Sequence, residues 1–329
     1  MISFRWISLH LTVMLLLLLA GCATPYIAPT GMQNRTPALE SSAAIMADGM
    51  RLPLRIWQPP SEPVAVVLAL HGLNDYLMAF NKPAQFLVNH GILVYAIDQR
   101  GFGDSHQAGL WHGSEQMVAD ATTVLQLIHQ YYPELPLYLI GESMGGAVAL
   151  QAQPANAILA GTILVAPAVW SRDSMPWYQR LALWFASHTL PGKKLTGEGL
   201  EIKPTDNMKM LRAWAADPKV IKATRVDVLY GVSNLMDSAV AAIPAVNSRI
   251  LLLYGEHDDV IPEPPICSLA TELTRHHKTL DTRLYPDGYH MLTRDLKADL
   301  VLSDMSNWIL DKVDSTIVSR QALQCKTSN

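Results

Sequence analysis

Five apolar runs, broken only by Thr162, punctuate the chain: Val64 to Leu70, Ile92 to Ile97, Leu137 to Ile140, Gly161 to Val165 and Ile250 to Tyr254. Runs of this length without polar alternation suit strands buried on both faces of a parallel sheet. Ahead of them, Ser42 to Ala47 and Arg51 to Trp57 flank Asp48-Gly49, a hairpin signal, so the ordered chain is expected to open with an antiparallel pair. Between the runs lie helical patterns. In Ser114 to Ile128, the residues Met117, Ala121, Val124, Leu125 and Ile128 recur at helical spacing, with Ser114 placed as the cap. Alternating strand and helix implies an α/β fold, a mostly parallel, doubly wound sheet with right-handed crossovers.

The alternation stops once. Between Pro167 and Pro244 no strand-like run occurs, and Trp170, Met175, Trp177, Trp184, Met208, Met210, Trp214 and Met236 are scattered through helix-compatible stretches. The strand pattern resumes at Ile250, so residues 168–244 read as a helical cap inserted into one core made of residues 41–167 and 245–315. Trp170, Met175, Trp177, Leu181 and Trp184 follow directly on the strand that carries Val165 and are expected to arch over the site.

Composition narrows the function. With 329 residues, half of them hydrophobic, the chain can bury a large core. A formal charge of −4 provides no basic field for a phosphate backbone, which argues against a nucleic-acid partner. The N-terminus raises a separate question. Arg5 precedes the apolar run Leu11 to Ala20, which is short for a bilayer span and has the layout of a secretory signal. Leu19-Ala20-Gly21-Cys22 also resembles the lipobox of bacterial lipoproteins. That resemblance implies removal of residues 1–21 and acylation of Cys22, and Ala23 after it goes with delivery to the outer membrane, facing the periplasm or the surface. A plain signal anchor, or a cleaved signal in which Cys22 is incidental, is the alternative. Residues 22–40, rich in Pro, Thr and Ala, then read as a tether. Cys267 and Cys325 remain, as an exported disulfide or as two free thiols.

The chemistry concentrates at Gly141-Glu142-Ser143-Met144-Gly145, directly after one apolar run and before a helical stretch. A nucleophile on a tight strand-to-helix turn needs small neighbours, and both glycines are present. Serine requires a base, which chain order in this fold places last. His290, in the loop Asp287-Gly288-Tyr289-His290 before the C-terminal helical pattern, fits, whereas His276 and His277 lie in a charged helical stretch and His257 is a weaker rival. The acid should end the strand before it, where Glu256, Asp258 and Asp259 are available. An oxyanion hole needs two backbone donors, expected from Met144 and from Leu73 in His71-Gly72-Leu73-Asn74. His71 is then expected to bond loop backbone rather than transfer protons.

Four motifs in this order resemble the monoacylglycerol lipase and lysophospholipase group of α/β-hydrolases, across roughly residues 40–312. They are the His71-Gly72 loop, Asp98 to Ser105, the Gly141 to Gly145 turn, and Gly255-x-x-Asp258 paired with Gly288-Tyr289-His290. The resemblance implies that Asp258 is the acid, that a helical cap follows Val165, and that single-chain lipid esters are cleaved through an acyl-enzyme on Ser143 without metal or organic cofactor. One departure concerns the substrate entrance: the group's oxyanion loop often continues Gly-Glu-His, whereas Leu73 is followed here by Asn74-Asp75-Tyr76. The rival functions are a small-ester carboxylesterase, thioesterase or amidase with the same triad, and a non-catalytic membrane-tethered binding protein of the same fold.

Overall fold

The computed structural model describes residues 23–155, 157–276, 279–311 and 325. Cys22 and the apolar run before it lie outside them. Three short antiparallel strands, β1 (Ala38–Leu39), β2 (Ala43–Ile45) and β3 (Arg51–Trp57), open the sheet. β3 pairs antiparallel with β5 (Ile92–Ile97), and from there every neighbour is parallel: β5, β4 (Ala65–Leu70), β6 (Leu137–Glu142), β7 (Leu159–Val165), β10 (Arg249–Gly255) and β11 (Leu280–Tyr285). The hairpin turn falls at Asp48-Gly49 as expected, with Gly49 at a φ of 81° that favours glycine.

The apolar runs lack alternation because both sheet faces are covered. In β4, Val66, Leu68 and Leu70 pack into a cluster with α2 (Ser114–Tyr131), α3 (Met144–Ala152), α6 (Val226–Ala242) and α7 (Glu263–His276). The intervening Ala65, Val67 and Ala69 pack on the opposite side with α1 (Asn81–Val88) and α8 (Ala298–Ile309). The chain leaves β4 first for β5 and then returns to β6 on its other side, so a topological switch point lies at the C-terminal end of β4. Ligand sites of open α/β sheets form there.

Several expectations need correction. β11 was absent from the apolar runs because Leu280–Tyr285 is an edge strand with polar Asp281, Thr282 and Arg283 facing partly to solvent. Ser114 is the first residue of α2; the cap is Gly113, at φ 92° and without a side-chain bond. The stretch expected as a 22–40 tether is held to the domain from Ala28 onward: Ala28 is buried and donates to Trp111 O at 2.7 Å, Arg35 N–H reaches Ala47 O, and β1 joins the sheet.

The insertion contains α4 (Trp177–Thr189), α5 (Met208–Ala216) and α6. It also holds a two-stranded ladder, β8 (Lys194–Thr196) with β9 (Ala223–Arg225), whose three-residue strands are too short to leave a run. α6 packs against α3 and α2 and is largely buried, with Gly231 against the Trp111 indole. α4 is the opposite case, burying Ser187 alone.

Candidate active site

Ser143 follows β6 at φ 52°, ψ −116°, and α3 begins at the next residue. Such a backbone is unfavourable for a side-chain-bearing residue and persists only where its surroundings impose it. Here Ser143 N–H donates to Val165 O, and its carbonyl accepts from Gly146 and Ala168, each at 2.9 Å. The flanking glycines are required for close approach: a Cβ on Gly145 would run into the Leu70 carbonyl, and one on Gly141 into Gly145.

His290 Nδ1 lies 2.8 Å from Asp258 Oδ2, with both residues buried. The other carboxylate oxygen of Asp258 accepts from the amides of Val260 and Ile261 at 2.8 and 2.9 Å. Asp258 is therefore held by its own loop and turned to the imidazole. Asp259 is exposed and reaches the Lys203 amide at 3.4 Å, and Glu256 is exposed.

The loop after β4 brings Gly72 against the serine, where an added Cβ would stand 3.2 Å from Ser143 Cβ. His71 fixes that loop. Its Nε2 accepts from the Gln99 amide at 3.0 Å, so Nδ1 carries the proton and donates to Gly72 O at 2.8 Å. Complete burial lowers its pKa and keeps it neutral, outweighing the nearby carboxylates. Met144 opens α3, so its amide is one of the N-terminal donors without an intrahelical partner, at the positive end of the helix dipole.

Ser143, His290, Gly72, Leu73 and Met144 line one cavity of about 330 Å³, whose apolar walls include Trp170, Val232, Met236, Val260 and Ile261. Of the five cap residues expected above the serine, Trp170 lines it. Trp177, Leu181 and Trp184 do not, being 73%, 56% and 48% exposed on the outer side of α4, and Met175 packs against the core. The segment lies over the site, but its first helix turns its apolar side chains outward.

A charged cluster in the cavity wall escaped sequence reasoning. Arg294, in the 3-10 turn Leu292–Arg294 after His290, donates to Asp75 Oδ2 at 2.7 Å and to Glu142 Oε1 at 2.9 Å, all three buried. Burial works against the guanidinium charge, yet Glu142 and Asp75 outweigh it and raise the Arg294 pKa. The cap joins the cluster through Trp214, whose indole N–H reaches Asp75 Oδ2 at 3.0 Å. Glu142 was visible only as the middle residue of the glycine-flanked turn, and nothing in the sequence pairs it with an arginine 152 positions away. Farther off, Cys267 of α7 is bonded to Cys325, with 5.3 Å between their Cα atoms.

The chain matches the Hydrolase_4 family, described as serine aminopeptidase, S33, over residues 61–297, and belongs to it. Its sheet order, elbow and inserted cap are those of an α/β-hydrolase. Among curated relatives, it is 26% identical to the monoglyceride lipase of Mus musculus over 87% of this chain and 95% of that protein. It is 28% identical to the monoacylglycerol lipase of Mycolicibacterium smegmatis, over 80% and 94% respectively. Among solved structures, a soluble variant of monoglyceride lipase from Saccharomyces cerevisiae, in complex with a substrate analog, superposes with a TM-score of 0.69 at 19% identity, covering 88% of this chain and all of that one.

Proposed function

We propose that this protein is a carboxylic ester hydrolase acting on single-chain lipids of the monoacylglycerol type, with Ser143 as nucleophile. The observation that carries the reading is the apolar cavity shared by Ser143 and His290, with Asp258 bonded behind the imidazole. The names of the mouse and mycobacterial relatives support the substrate class.

In the first half-reaction Ser143 Oγ attacks the ester carbonyl while its proton passes to His290 Nε2. Asp258 accepts the Nδ1–H, holds the tautomer and stabilises the imidazolium. The amides of Leu73 and Met144 receive the negative charge developing on the carbonyl oxygen. Collapse expels the alcohol, protonated by His290, and leaves the acyl group on Ser143. Water, deprotonated by the same histidine, attacks the acyl-enzyme and releases the fatty acid and the free serine.

The cell-envelope location belongs to this reading too: the Leu-Ala-Gly-Cys sequence supports lipidation of Cys22 and attachment to the bacterial outer membrane. Mass spectrometry of the mature N-terminus tests it, and an unmodified N-terminus downstream of Cys22 would remove it. For the substrate, the experiment is a series of monoacyl esters from acetyl to palmitoyl on a glycerol leaving group, assayed below the micelle-forming concentration. Each CH₂ buried contributes ~0.8 kcal/mol, so kcat/KM should climb severalfold per carbon until the cavity fills. A profile peaking at acetyl would replace the lipid reading with a small-ester carboxylesterase. Failure of a fluorophosphonate to label Ser143 would remove the hydrolase reading.

A further inference from the structure

The loop that carries the Leu73 amide is held from two sides. Before Leu73 it is fastened to the core, where Gln99 bonds both the His71 ring and, through Nε2 at 2.7 Å, the His71 carbonyl. After Leu73, three consecutive residues are fastened to the cap instead. Asn74 O accepts from Ile221 N–H at 3.0 Å, and Asn74 Nδ2 donates to Thr224 Oγ1 of β9 at 2.7 Å. Asp75 Oδ2 accepts from the Trp214 indole of α5 at 3.0 Å, and Tyr76 OH donates to Asp217 Oδ2 at 2.6 Å. Lys219 places its ammonium 5.7 Å from the centre of the Tyr76 ring. All of these cap partners fall within residues 214–224, so Leu73 sits at the joint between core and cap.

Asn74 makes that joint stiff. Its φ of 65° lies in the left-handed region, which asparagine tolerates better than most residues with a side chain. Where the group's loop often has glycine, Asn74 keeps a backbone that glycine would favour and adds an amide that reaches the cap. Backbone and side chain bond the same cap segment, so residue 74 cannot rotate without breaking one of the two bonds. The preceding residue inherits that restraint. An oxyanion donor stabilises the transition state only when it is aimed at the oxygen on which charge develops, and a displacement of about 1 Å costs on the order of 10² in rate.

We infer that Asn74 is a positioning residue: through Thr224 and Ile221 it makes the aim of the Leu73 amide depend on the seated cap. Segment 214–224 is then part of the oxyanion hole's support as well as a wall of the cavity. With that segment displaced, the site still binds an ester but acylates Ser143 slowly. The inference rests on the acyl-transfer reading of Ser143 given above. Thr224 is the informative partner, because it is buried in the cap and is not one of the residues that line the catalytic cavity.

The test uses the full-length protein, with turnover of monobutyrylglycerol counted per serine titrated to completion by a fluorophosphonate. N74G keeps the left-handed backbone and deletes the amide; T224V deletes the hydroxyl at similar size, and T224S retains it. In N74G and T224V, kcat should fall about 10- to 100-fold with KM within about two-fold, short of the 10²–10³ lost with a whole donor. T224S should stay within about two-fold of wild type. N74G/T224V should be no slower than the slower single variant, because both changes break one bond. A trifluoromethyl ketone supplies the second readout: Ser143 Oγ adds to its carbonyl carbon, the serine proton passes to His290, and the carbonyl oxygen becomes an oxyanion in the hole. Its affinity should fall in proportion to kcat/KM, while an unreactive ether of the same chain binds every variant alike. Variants that yield less folded protein but keep kcat per serine and ketone affinity overturn the inference, as do additive losses in the double variant. If wild type captures the ketone but hydrolyses no ester, the ester reading falls and the ketone affinities alone decide the role of Asn74.

Discussion

Arg294 Nη2 and Glu142 Oε1 stand 2.9 Å apart although 152 positions separate them, and this pair ties the loop of His290 to the residue immediately before Ser143. Through its other amino group Arg294 also holds Asp75, two residues beyond Leu73. One buried cation therefore fixes the relative positions of the loops that deliver the nucleophile, the base and an oxyanion donor.

Replacing Arg294 by Met strands two buried carboxylates, an arrangement that costs about 3–5 kcal/mol in comparable sites. R294K keeps the charge but not the fork that reaches both partners, and should fall between wild type and R294M. Urea unfolding midpoints give the order. Turnover should fall in parallel, and an R294M protein of wild-type stability would show that the cluster is not a structural tie.

Asp258 and Asp259 are adjacent, but Asp258 bonds the imidazole while Asp259 faces solvent. D258N removes the acceptor that sets the tautomer, a change that lowers kcat on the order of 10⁴ in serine proteases. D259N should stay within a few-fold of wild type. Steady-state kinetics on a soluble ester compare them, and the reverse order would transfer the acid role to Asp259.

Asp295 ties the histidine loop to the cap, accepting from Thr205 Oγ1 at 2.6 Å and from Tyr289 N–H at 2.8 Å. Burial raises its pKa from 3.8 to about 6 despite those two bonds. The folded state thus holds this proton more tightly than the unfolded chain, so the group's contribution to stability is greatest below pH 3.8, declines as pH rises to about 6, and is level above. D295N can keep both contacts without ionising. Its Tm relative to wild type should rise across that window and then plateau; a flat difference would sink the assignment.

The Cys267–Cys325 bond closes a 58-residue separation in the unfolded chain. C325S should lower the unfolding free energy by about 2–4 kcal/mol through the entropy returned to the unfolded state. Equilibrium unfolding of the variant, beside wild type with and without reductant, measures it. Unchanged stability would mean the bond constrains nothing the fold depends on.

Local chemistry made much of this protein readable from its sequence. Strands covered on both faces leave apolar runs, a glycine-flanked serine between strand and helix marks a strained turn, and a Gly-x-x-Asp loop marks the end of a strand. Those signals placed the sheet, the elbow and the residues around the cavity, because each is written within a few positions of chain. Tertiary structure decided what depends on distant neighbours. It put the amphipathic strand Leu280–Tyr285 at the sheet edge, where half-exposure permits polar residues. It turned Trp177, Leu181 and Trp184 outward, which helical spacing cannot foretell, since the same apolar stripe serves for a core or for a surface. It also joined Asp75, Glu142 and Arg294, because a buried charge selects partners by proximity in space, and proximity across more than 150 positions is set only when the sheet has assembled.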